Sequence, residues 1–286
     1  MLATGFCFIA VTALVKYVGA GVPPAEAAFL RYAMGLVFLL PALPALRAAA
    51  LTGRQWRLFA TRGFFHGLGV ILWFYAMVRI PIADVTAMNY LAPVYVTIGA
   101  ALFLGEKLAF RRIAAVAFAL IGTAIILRPG FREISSGHFA MLGAALVFSG
   151  SYLTAKILAD EVKPAVIVAM LSVFVTLTLA PFAAVVWVTP GLHELLILGL
   201  VACCATAGHY TMTLAFAAAP LTVTQPITFT QLVWAIVLGY TVFGEAVDMW
   251  VIVGGVIILG SVTFITWREA VLNRAPTTPS ANAVKL

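Results

Sequence analysis

The sequence is a succession of apolar segments, most about as long as a membrane-spanning helix, separated by short stretches with Pro, Gly and charged residues. Only 9% of the 286 residues are charged and 64% are hydrophobic, whereas a soluble domain has roughly 25% charged residues. This excess of apolar residues needs an apolar solvent, so we expect an all-α integral membrane protein. Little chain is left for a soluble catalytic or nucleotide-binding domain.

Ten of these segments are predicted to span the membrane, since a spanning helix needs about 20 mostly apolar residues. The predicted bounds are Leu2–Val18, Pro24–Leu46, Gln55–Val78, Ala83–Leu104, Arg111–Leu127, Ser136–Leu158, Pro164–Val188, His193–Ala218, Thr222–Phe243 and Asp248–Trp267. Residues 271–286 contain Pro276 and Pro279 and are predicted to form a disordered cytoplasmic tail.

The basic residues are divided unequally between the two sides of this arrangement. With the second loop inside, three basic residues lie outside: Arg79, Arg128 and Arg132. Eleven lie inside: Arg47, Arg54, Arg57, Arg62, Lys107, Arg111, Arg112, Lys163, Arg268, Arg274 and Lys285. Cytoplasmic loops carry the excess of Lys and Arg, so both termini are predicted to be cytoplasmic, in a bacterial inner membrane. This asymmetry accounts for the net charge of +7 without a nucleic-acid partner.

An internal repeat relates residues 1–130 to residues 131–270. At a shift of 140 residues the matches are Phe8 with Phe148, Lys16 with Lys156, Pro24 with Pro164 and Pro41 with Pro181. At a shift of 139 they are Gly69 with Gly208, Ala76 with Ala215, Pro81 with Pro220, and Gly105-Glu106 with Gly244-Glu245. Five helices per half is an odd number, so the halves are predicted to have inverted topologies, as in many secondary transporters.

The repeat also makes a prediction about the start of the chain. The sixth helix is predicted to begin near Ser136, which corresponds to a position five residues before Met1. We therefore expect that part of the first helix is missing from this sequence. The alternative is a first helix that is simply short.

The ten helices, the repeat and the Gly-Glu pairs after the fourth and ninth helices resemble the drug/metabolite transporter superfamily, and in particular its EamA-like branch. Pro81 and Pro220, which precede the same two helices, add to the resemblance, which extends from Leu2 to Trp267. The resemblance implies export of small metabolites, often amino acids, through a cavity between the two halves. Exporters of aromatic amino acids are the members that it suggests first.

Polar and aromatic residues in the middle of the helices predict the substrate site. They often recur at helical spacing on one face, and interhelical hydrogen bonding, worth about 0.6 kcal/mol each, is the alternative explanation. The cavity is predicted to lie between the first, third, fourth, sixth, eighth and ninth helices. The predicted substrate-binding residues are His66, Trp73, Asn89, Tyr90, His209, Thr228, Gln231 and Trp234.

Charged residues and prolines add two further expectations. All ten acidic residues lie at helix ends or in loops, so the ligand is expected to be neutral or zwitterionic. Arg31, two turns inside the second helix, either contacts a substrate carboxylate or binds helix-end carbonyl groups. Pro41 and Pro181 are predicted to bend the second and seventh helices, and Pro93, which has no repeat mate, is predicted to bend one half alone.

The sequence thus predicts a secondary transporter or exporter of small neutral or zwitterionic metabolites that works by alternating access. Aromatic or other hydrophobic amino acids are the preferred substrates. Exporters of drugs or nucleosides, a channel without alternating access and an integral-membrane enzyme are the alternatives. The enzyme is disfavoured because the sequence lacks G-x-S-x-G and a His pair at i, i+4, and Cys7, Cys203 and Cys204 lack metal-ligand spacing. The sequence has no G-x-x-x-x-G-K-[ST] motif, so it is not expected to be an ATP pump, and no ATP-binding subunit is expected to be required. We also expect no cofactor and no metal. The protein is expected to work as a monomer in the lipid bilayer.

Overall fold

A computed structural model of the chain describes residues 1–103, 110–159, 161–218 and 227–273, and the regular structure in these ranges is helical. Several residues on which the repeat was based lie outside them: Gly105, Glu106 and Pro220. The described helices are α1, Leu2–Val18; α2, Pro24–Gly35; α3, Leu43–Arg47; α4, Gly53–Met77; α5, Ile82–Asn89; α6, Ala92–Phe103; α7, Phe110–Leu127; α8, Ser136–Ala159; α9, Pro164–Val185; α10, Leu192–Ala218; α11, Phe229–Phe243; and α12, Met249–Asn273.

Six helical stretches in the described ranges are long and apolar enough to cross a membrane. They are Ile82–Phe103, Phe110–Leu127, Ser136–Ala155, Ala165–Val185, Leu192–Met212 and Met249–Arg268. Leu2–Val18 and Thr230–Phe243 are apolar but shorter. These lengths support the all-α membrane class, while the count of ten spans and the orientation stay predictions. The last helix continues to Asn273, three residues into the predicted tail.

Local sequence signals explain where several helices begin. Pro24 and Pro164 are the first residues of α2 and α9, the position at which a missing N–H group costs nothing. At the start of α4, Thr52 and Gln55 form a reciprocal capping box: the Thr52 hydroxyl accepts from the Gln55 N–H, and the Gln55 side chain accepts from the Thr52 N–H.

The second predicted segment is not one α-helix. After α2 the backbone tightens into a 3₁₀-helix over Leu36–Ala42, which contains Pro41, and resumes as α3. A proline inside a helix removes one backbone hydrogen bond and clashes with the preceding turn. Its repeat mate Pro181 lies inside α9, which stays α-helical to Val185. The two prolines therefore have different local structures.

The fourth predicted segment is interrupted in its middle. α5 ends at Asn89, and α6 starts at Ala92. Pro93 is the second residue of α6, where its ring is tolerated. Because Pro93 has no N–H group, it cannot donate to the Asn89 carbonyl oxygen as a continuous α-helix requires.

Most of the interhelical packing joins residues 1–130 to residues 131–270, and the pattern is reciprocal. α4 packs along α8, and α1 packs along α10. α4 also contacts α9, and correspondingly α10 contacts α2. Three further contacts pair corresponding helices directly: α2 with α9, α5 with α11 and α7 with α12. α6 also packs against α8. The core is therefore built between the two sequence halves rather than within each of them.

The contact between α7 and α12 depends on two glycines. A Cβ atom placed on Gly122 would lie 2.7 Å from the carbonyl oxygen of Gly254, and one placed on Gly254 would lie 2.4 Å from that of Gly122. Real Cβ atoms are not found this close to a backbone oxygen. The absence of side chains at both positions thus allows the two backbones to touch.

Candidate substrate site

Arg31 is a buried cation with two unpaired hydrogen-bond donor atoms among the described residues. It lies on α2, is 5% exposed, and its Cζ atom is 4.0 Å from the centroid of the Tyr32 ring. Its Nε and Nη1 atoms are buried without a hydrogen-bond partner among the described residues. An unsatisfied buried donor costs about 1–3 kcal/mol, and more when the group is charged. These donors are therefore suited to an acceptor supplied by a ligand.

His66 is held on α4 beside this arginine by aromatic and polar neighbours. Its ring meets the Tyr32 ring edge-on at 6.2 Å and lies 5.0 Å from the Phe148 ring, centroid to centroid. Its Nδ1 atom is 3.3 Å from the Ser151 hydroxyl on α8. α2, α4 and α8 thus meet around one imidazole. The predicted cavity omitted α2, which provides both Arg31 and Tyr32.

The face of α4 next to His66 is occupied by a neighbouring helix. A Cβ atom on Gly63 would lie 2.3 Å from the Phe174 Cβ atom on α9, and one on Gly67 would lie 3.0 Å from Thr178 Cγ2. This close approach is the packing role typical of a G-x-x-x-G pair. With α9 against its glycine face, α4 turns His66 toward α2 and α8.

Phe8 and Phe148, which correspond in the repeat, occupy equivalent places in the fold. The Phe148 ring lies over Gly69, where an added Cβ atom would be 2.6 Å from a ring carbon. The Phe8 ring lies over Gly208, where the same distance would be 3.5 Å. Each phenylalanine therefore packs on the glycine that the repeat assigns to the other half.

Each of these phenylalanines also borders a histidine. His66 contacts Phe148, and His209 meets Phe8 edge-on with ring centroids 5.2 Å apart. The two histidines are not aligned in the repeat, because His66 precedes its glycine by three residues and His209 follows its glycine by one. The fold gives them corresponding neighbours that the sequence alignment does not show.

Arg62 was assigned from the sequence to the cytoplasmic residues that set orientation, and this assignment was incomplete. It lies within α4, is 8% exposed, and its Nη1 atom donates to the Ile167 carbonyl oxygen on α9 at 3.1 Å. Both Arg31 and Arg62 interact electrostatically with the two histidines. Two buried guanidinium groups therefore make this region electropositive.

Trp73, two turns beyond His66 on α4, extends the aromatic wall. Its ring centroid is 6.4 Å from that of Phe148, and its indole Nε1 atom is buried without a partner in the described ranges. Tyr152 continues the wall on α8, with its ring stacked 6.3 Å from Phe148. This region therefore combines aromatic faces with unused N–H donors.

Most of the other predicted site residues lie on or next to α11. The Tyr90 hydroxyl donates to the Thr228 carbonyl oxygen at 2.9 Å. The Gln231 side chain lies against Gly5 of α1, and Trp234, 42% exposed, lies 5.0 Å from Phe6. Asn89 is exposed. The structure thus divides the predicted set into one group around His66 and Trp73 and a second group around Tyr90 and Thr228.

Some threonines of the predicted polar faces bind their own helices. The hydroxyls of Thr86, Thr97 and Thr206 each donate to the carbonyl oxygen four residues earlier. Hydroxyls bound in this way need no ligand and no neighbouring helix. The residues that sequence analysis missed are instead Tyr32 and Ser151, which lack any periodic signal, and Phe148, which was used only to establish the repeat.

At one end of the helix bundle an ion pair ties α1 and the segment after α11 to the start of α5. Lys16, in the last turn of α1, pairs with Glu245 Oε1 at 2.6 Å and donates to the Ile80 carbonyl oxygen. Glu245 Oε2 accepts from the N–H group of Ile82, the first residue of α5. Gly244, with φ 63°, ends α11 and allows the chain to bring Glu245 to this position.

A second ionic cluster at the same end surrounds Asp84. This buried carboxylate on α5 accepts from Arg132 and lies 3.0 Å from Nε2 of His138 on α8. Arg128 pairs with Asp248, next to the start of α12. Asp248 also caps its own helix, as expected, by accepting from the Trp250 N–H. The short helix α5 is therefore anchored from both sides by residues of other elements.

Comparison with known proteins relates the whole chain to transporters. The model of the EamA-like transporter family matches residues 1–128 and residues 135–267. A riboflavin transporter of Rhizobium johnstonii is 32% identical over 256 residues, covering 89% of this chain and 84% of the relative. An S-adenosylmethionine uptake transporter of Rickettsia bellii is 26% identical, covering 89% and 87%.

Two further similarities have the same extent. A pseudopaline exporter of Pseudomonas aeruginosa is 27% identical, covering 89% of this chain and 90% of the relative. A crystal structure that covers 94% of this chain, and of which 97% is covered, superposes with a TM-score of 0.62 at 18% identity. The last similarity concerns the fold alone.

Proposed function

This chain belongs to the EamA-like transporter family, and we propose that it carries a small planar metabolite through a site between its two halves by alternating access. It is a multi-pass protein of the bacterial inner membrane. The predicted transporter class agrees with the names of its relatives, none of which is an enzyme among those compared above.

The observation that carries the proposal is the Arg31 guanidinium, which is buried over Tyr32 with two unused donors. Guanidinium groups bind carboxylate and other planar acceptors in a fixed geometry. Tyr32 lies against this guanidinium, and Phe148 and Trp73 continue the aromatic wall beyond His66. Such side chains can stack on a planar ligand. A ligand with a ring and carbonyl or carboxylate oxygens satisfies both features together.

The preferred substrate is a planar heteroaromatic molecule of the riboflavin type. Its ring carbonyl groups would accept from Arg31 and Trp73, and its ring system would lie between the aromatic side chains. The similarity to the riboflavin transporter of R. johnstonii favours this substrate. Aromatic amino acids, the class expected from the sequence, are the second candidate, with their carboxylate on Arg31. Sulfonium compounds such as S-adenosylmethionine are disfavoured because Arg31 and Arg62 make the site electropositive.

For the topology we propose ten spans in two inverted halves with both termini in the cytoplasm. The reciprocal contacts between helices and the separate family matches to residues 1–128 and 135–267 support it. The interruptions at Pro41 and Pro93 are positions at which helix segments can tilt separately. We propose that a single chain completes the cycle without an ATP-binding subunit.

Entrance counterflow in proteoliposomes tests this function. The purified protein is reconstituted without ATP. The proteoliposomes are preloaded with one unlabelled candidate, and uptake of the same labelled compound is measured. The candidates are riboflavin, phenylalanine, tryptophan and S-adenosylmethionine. Riboflavin counterflow is expected, and Arg31→Gln is expected to abolish it. Arg57→Gln, which changes an exposed arginine on α4, is the matched control and should transport normally. Counterflow with none of the four compounds, or normal transport by Arg31→Gln, would contradict the proposal.

A further inference from the structure

The groove between α7 and α12 faces outward and lies on helices that contribute nothing to the candidate substrate site. We propose that it binds an anionic phospholipid, with the headgroup at Arg111 and one acyl chain between the two helices. The proposal depends on the shape of the groove, its apolar lining and its single charged rim residue.

The shape follows from how the two helices cross. They touch backbone to backbone at Gly122 and Gly254. Toward the end of α7 that carries Arg111 they diverge, and a Cβ atom added to Gly260 of α12 would meet nothing within 4 Å. The space between the diverging helices has a volume of about 430 Å³, within the range of roughly 300–1,000 Å³ for pockets that bury small ligands.

The groove is apolar along its length. Three aromatic side chains, Phe110, Phe118 and Phe264, line it together with Ile257 and small residues. Among the described lining residues the one hydroxyl group, that of Ser261, already donates to the carbonyl oxygen of Ile257 in its own helix. The described lining thus offers no free polar partner below the rim, which suits an acyl chain.

Arg111 is the charged residue of the groove and is available to a ligand. It is exposed at the start of α7, and it makes no hydrogen bond or ion pair with a described residue. A guanidinium at the interface of a membrane attracts anionic lipid headgroups, and its fork geometry matches a phosphate. An arginine above an apolar cleft therefore selects a lipid that is anionic at one end and apolar at the other.

A second copy of this chain is a poorer occupant. In a two-fold contact the same surface lies on both sides, and two concave grooves do not fill each other. A twofold contact centred here would also tend to bring the two copies of Arg111 toward each other without a carboxylate from the groove to neutralise them.

Native mass spectrometry of the purified full chain, titrated with phosphatidylglycerol or phosphatidylcholine, tests the site. Gly260→Leu should fill the groove without disturbing the glycine contact and should reduce retention of both lipids. Arg111→Gln should remove the preference for phosphatidylglycerol, about fivefold for one basic residue at a membrane surface. Arg57→Gln removes an exposed arginine elsewhere and should leave the preference unchanged.

Thermal unfolding of each variant in lipid-free detergent serves as the folding control, and no difference from the wild type is expected. Equal lipid retention by the wild type, Gly260→Leu and Arg111→Gln would overturn the proposal. It would equally be overturned by a concentration-dependent dimer that Gly260→Leu abolishes, since the groove would then bind a second copy of the chain. Because the readout is lipid binding, failure of this test leaves the transport proposal unaffected.

Discussion

The Tyr90 hydroxyl donates a hydrogen bond to the backbone carbonyl oxygen of Thr228, 138 residues later in the chain. Tyr90 directly follows Asn89, and Asn89 is the residue that the repeat pairs with Thr228. α5 ends at Asn89, and α11 begins directly after Thr228. The bond therefore joins two helix ends that occupy corresponding positions in the two halves.

Removing this hydroxyl is expected to weaken the junction. Tyr90→Phe should lower the free energy of unfolding by about 0.5–1.5 kcal/mol, the net value of one buried hydrogen bond, and should slow transport because the bond joins the two halves of the protein. Thermal unfolding in detergent and counterflow measure the two effects. Tyr95→Phe is the matched control, since the Tyr95 hydroxyl bonds no described residue. A Tyr90→Phe protein as stable as the wild type would show that this bond contributes nothing.

Substitution of the aromatic wall should affect transport more than stability. We expect His66→Ala and Trp73→Ala to reduce counterflow strongly, because both rings lie next to Phe148 in the proposed aromatic wall of the site. Loss of one ring-stacking contact costs about 0.5–1.5 kcal/mol, which lowers the affinity up to about tenfold. Phe139→Ala, which changes an exposed side chain on α8, is the control. Normal counterflow by both variants would place the ligand elsewhere.

The contribution of the Lys16–Glu245 pair to stability can be tested by removing one or both of its charges. Lys16→Met should destabilise the protein by about 3–5 kcal/mol, because it leaves a largely buried carboxylate without its cation. The double variant Lys16→Met/Glu245→Gln should recover much of this loss, since the glutamine can still accept from the Ile82 N–H. Thermal unfolding of the two variants measures the difference. If the double variant is no more stable than Lys16→Met, the loss does not come from the unpaired charge.

Two glycines of α12 should respond oppositely to the same change. Gly254→Ala places a Cβ atom 2.4 Å from the Gly122 carbonyl oxygen and should cost about 1–3 kcal/mol through overpacking. Gly260→Ala adds its Cβ atom to open space and should be neutral or stabilise by about 0.4–1 kcal/mol, because alanine restricts the unfolded chain. Equal stabilities of the two variants would contradict the described crossing of α7 and α12.

A pH dependence is expected from the pair of Arg54 and Glu161 outside the membrane-spanning segments. Hydrogen bonds from Arg54, and then from Gln55, hold the pKa of the Glu161 carboxyl below its ordinary value. A depressed pKa stabilises the folded state at pH values above the unfolded-state pKa of about 4.3. This contribution is lost as the pH falls through the folded-state pKa. The difference in melting temperature between wild type and Glu161→Gln should therefore shrink on acidification below about pH 5. A difference in melting temperature that stays constant from neutral to acidic pH would contradict this expectation.

Sequence reasoning succeeded where a property is periodic or repeated. The membrane class followed from apolar segment length, and the family from the repeat, the prolines and the Gly-Glu pairs. Phe8 and Phe148 show how far such a signal reaches: their spacing established the repeat, and in the fold they pack on corresponding glycines. A repeat reveals that two positions are equivalent, but it does not reveal their neighbours.

The parts of the site that sequence reasoning missed depend on single side-chain orientations. Arg62 was interpreted as an orientation charge because its depth within α4 depends on where that helix enters the membrane. Tyr32 became part of the site because it stacks with Arg31 and faces His66, which neither residue indicates alone. The expectation of a neutral or zwitterionic ligand was inferred from missing carboxylates, whereas two buried arginines decide the sign of the potential.

The burial of Glu245 also determines how strongly dissolved salt affects its ion pair with Lys16. The side chains of Glu245 and Lys16 are 12% and 17% exposed, respectively. Dissolved ions therefore screen this pair weakly compared with surface charges, for which the screening length is about 8 Å at physiological ionic strength. If release of α5 limits the transport rate, that rate is set by the protein's interior rather than by its solution. A transporter whose rate depends on this buried ion pair would keep the same turnover in dilute and in concentrated salt.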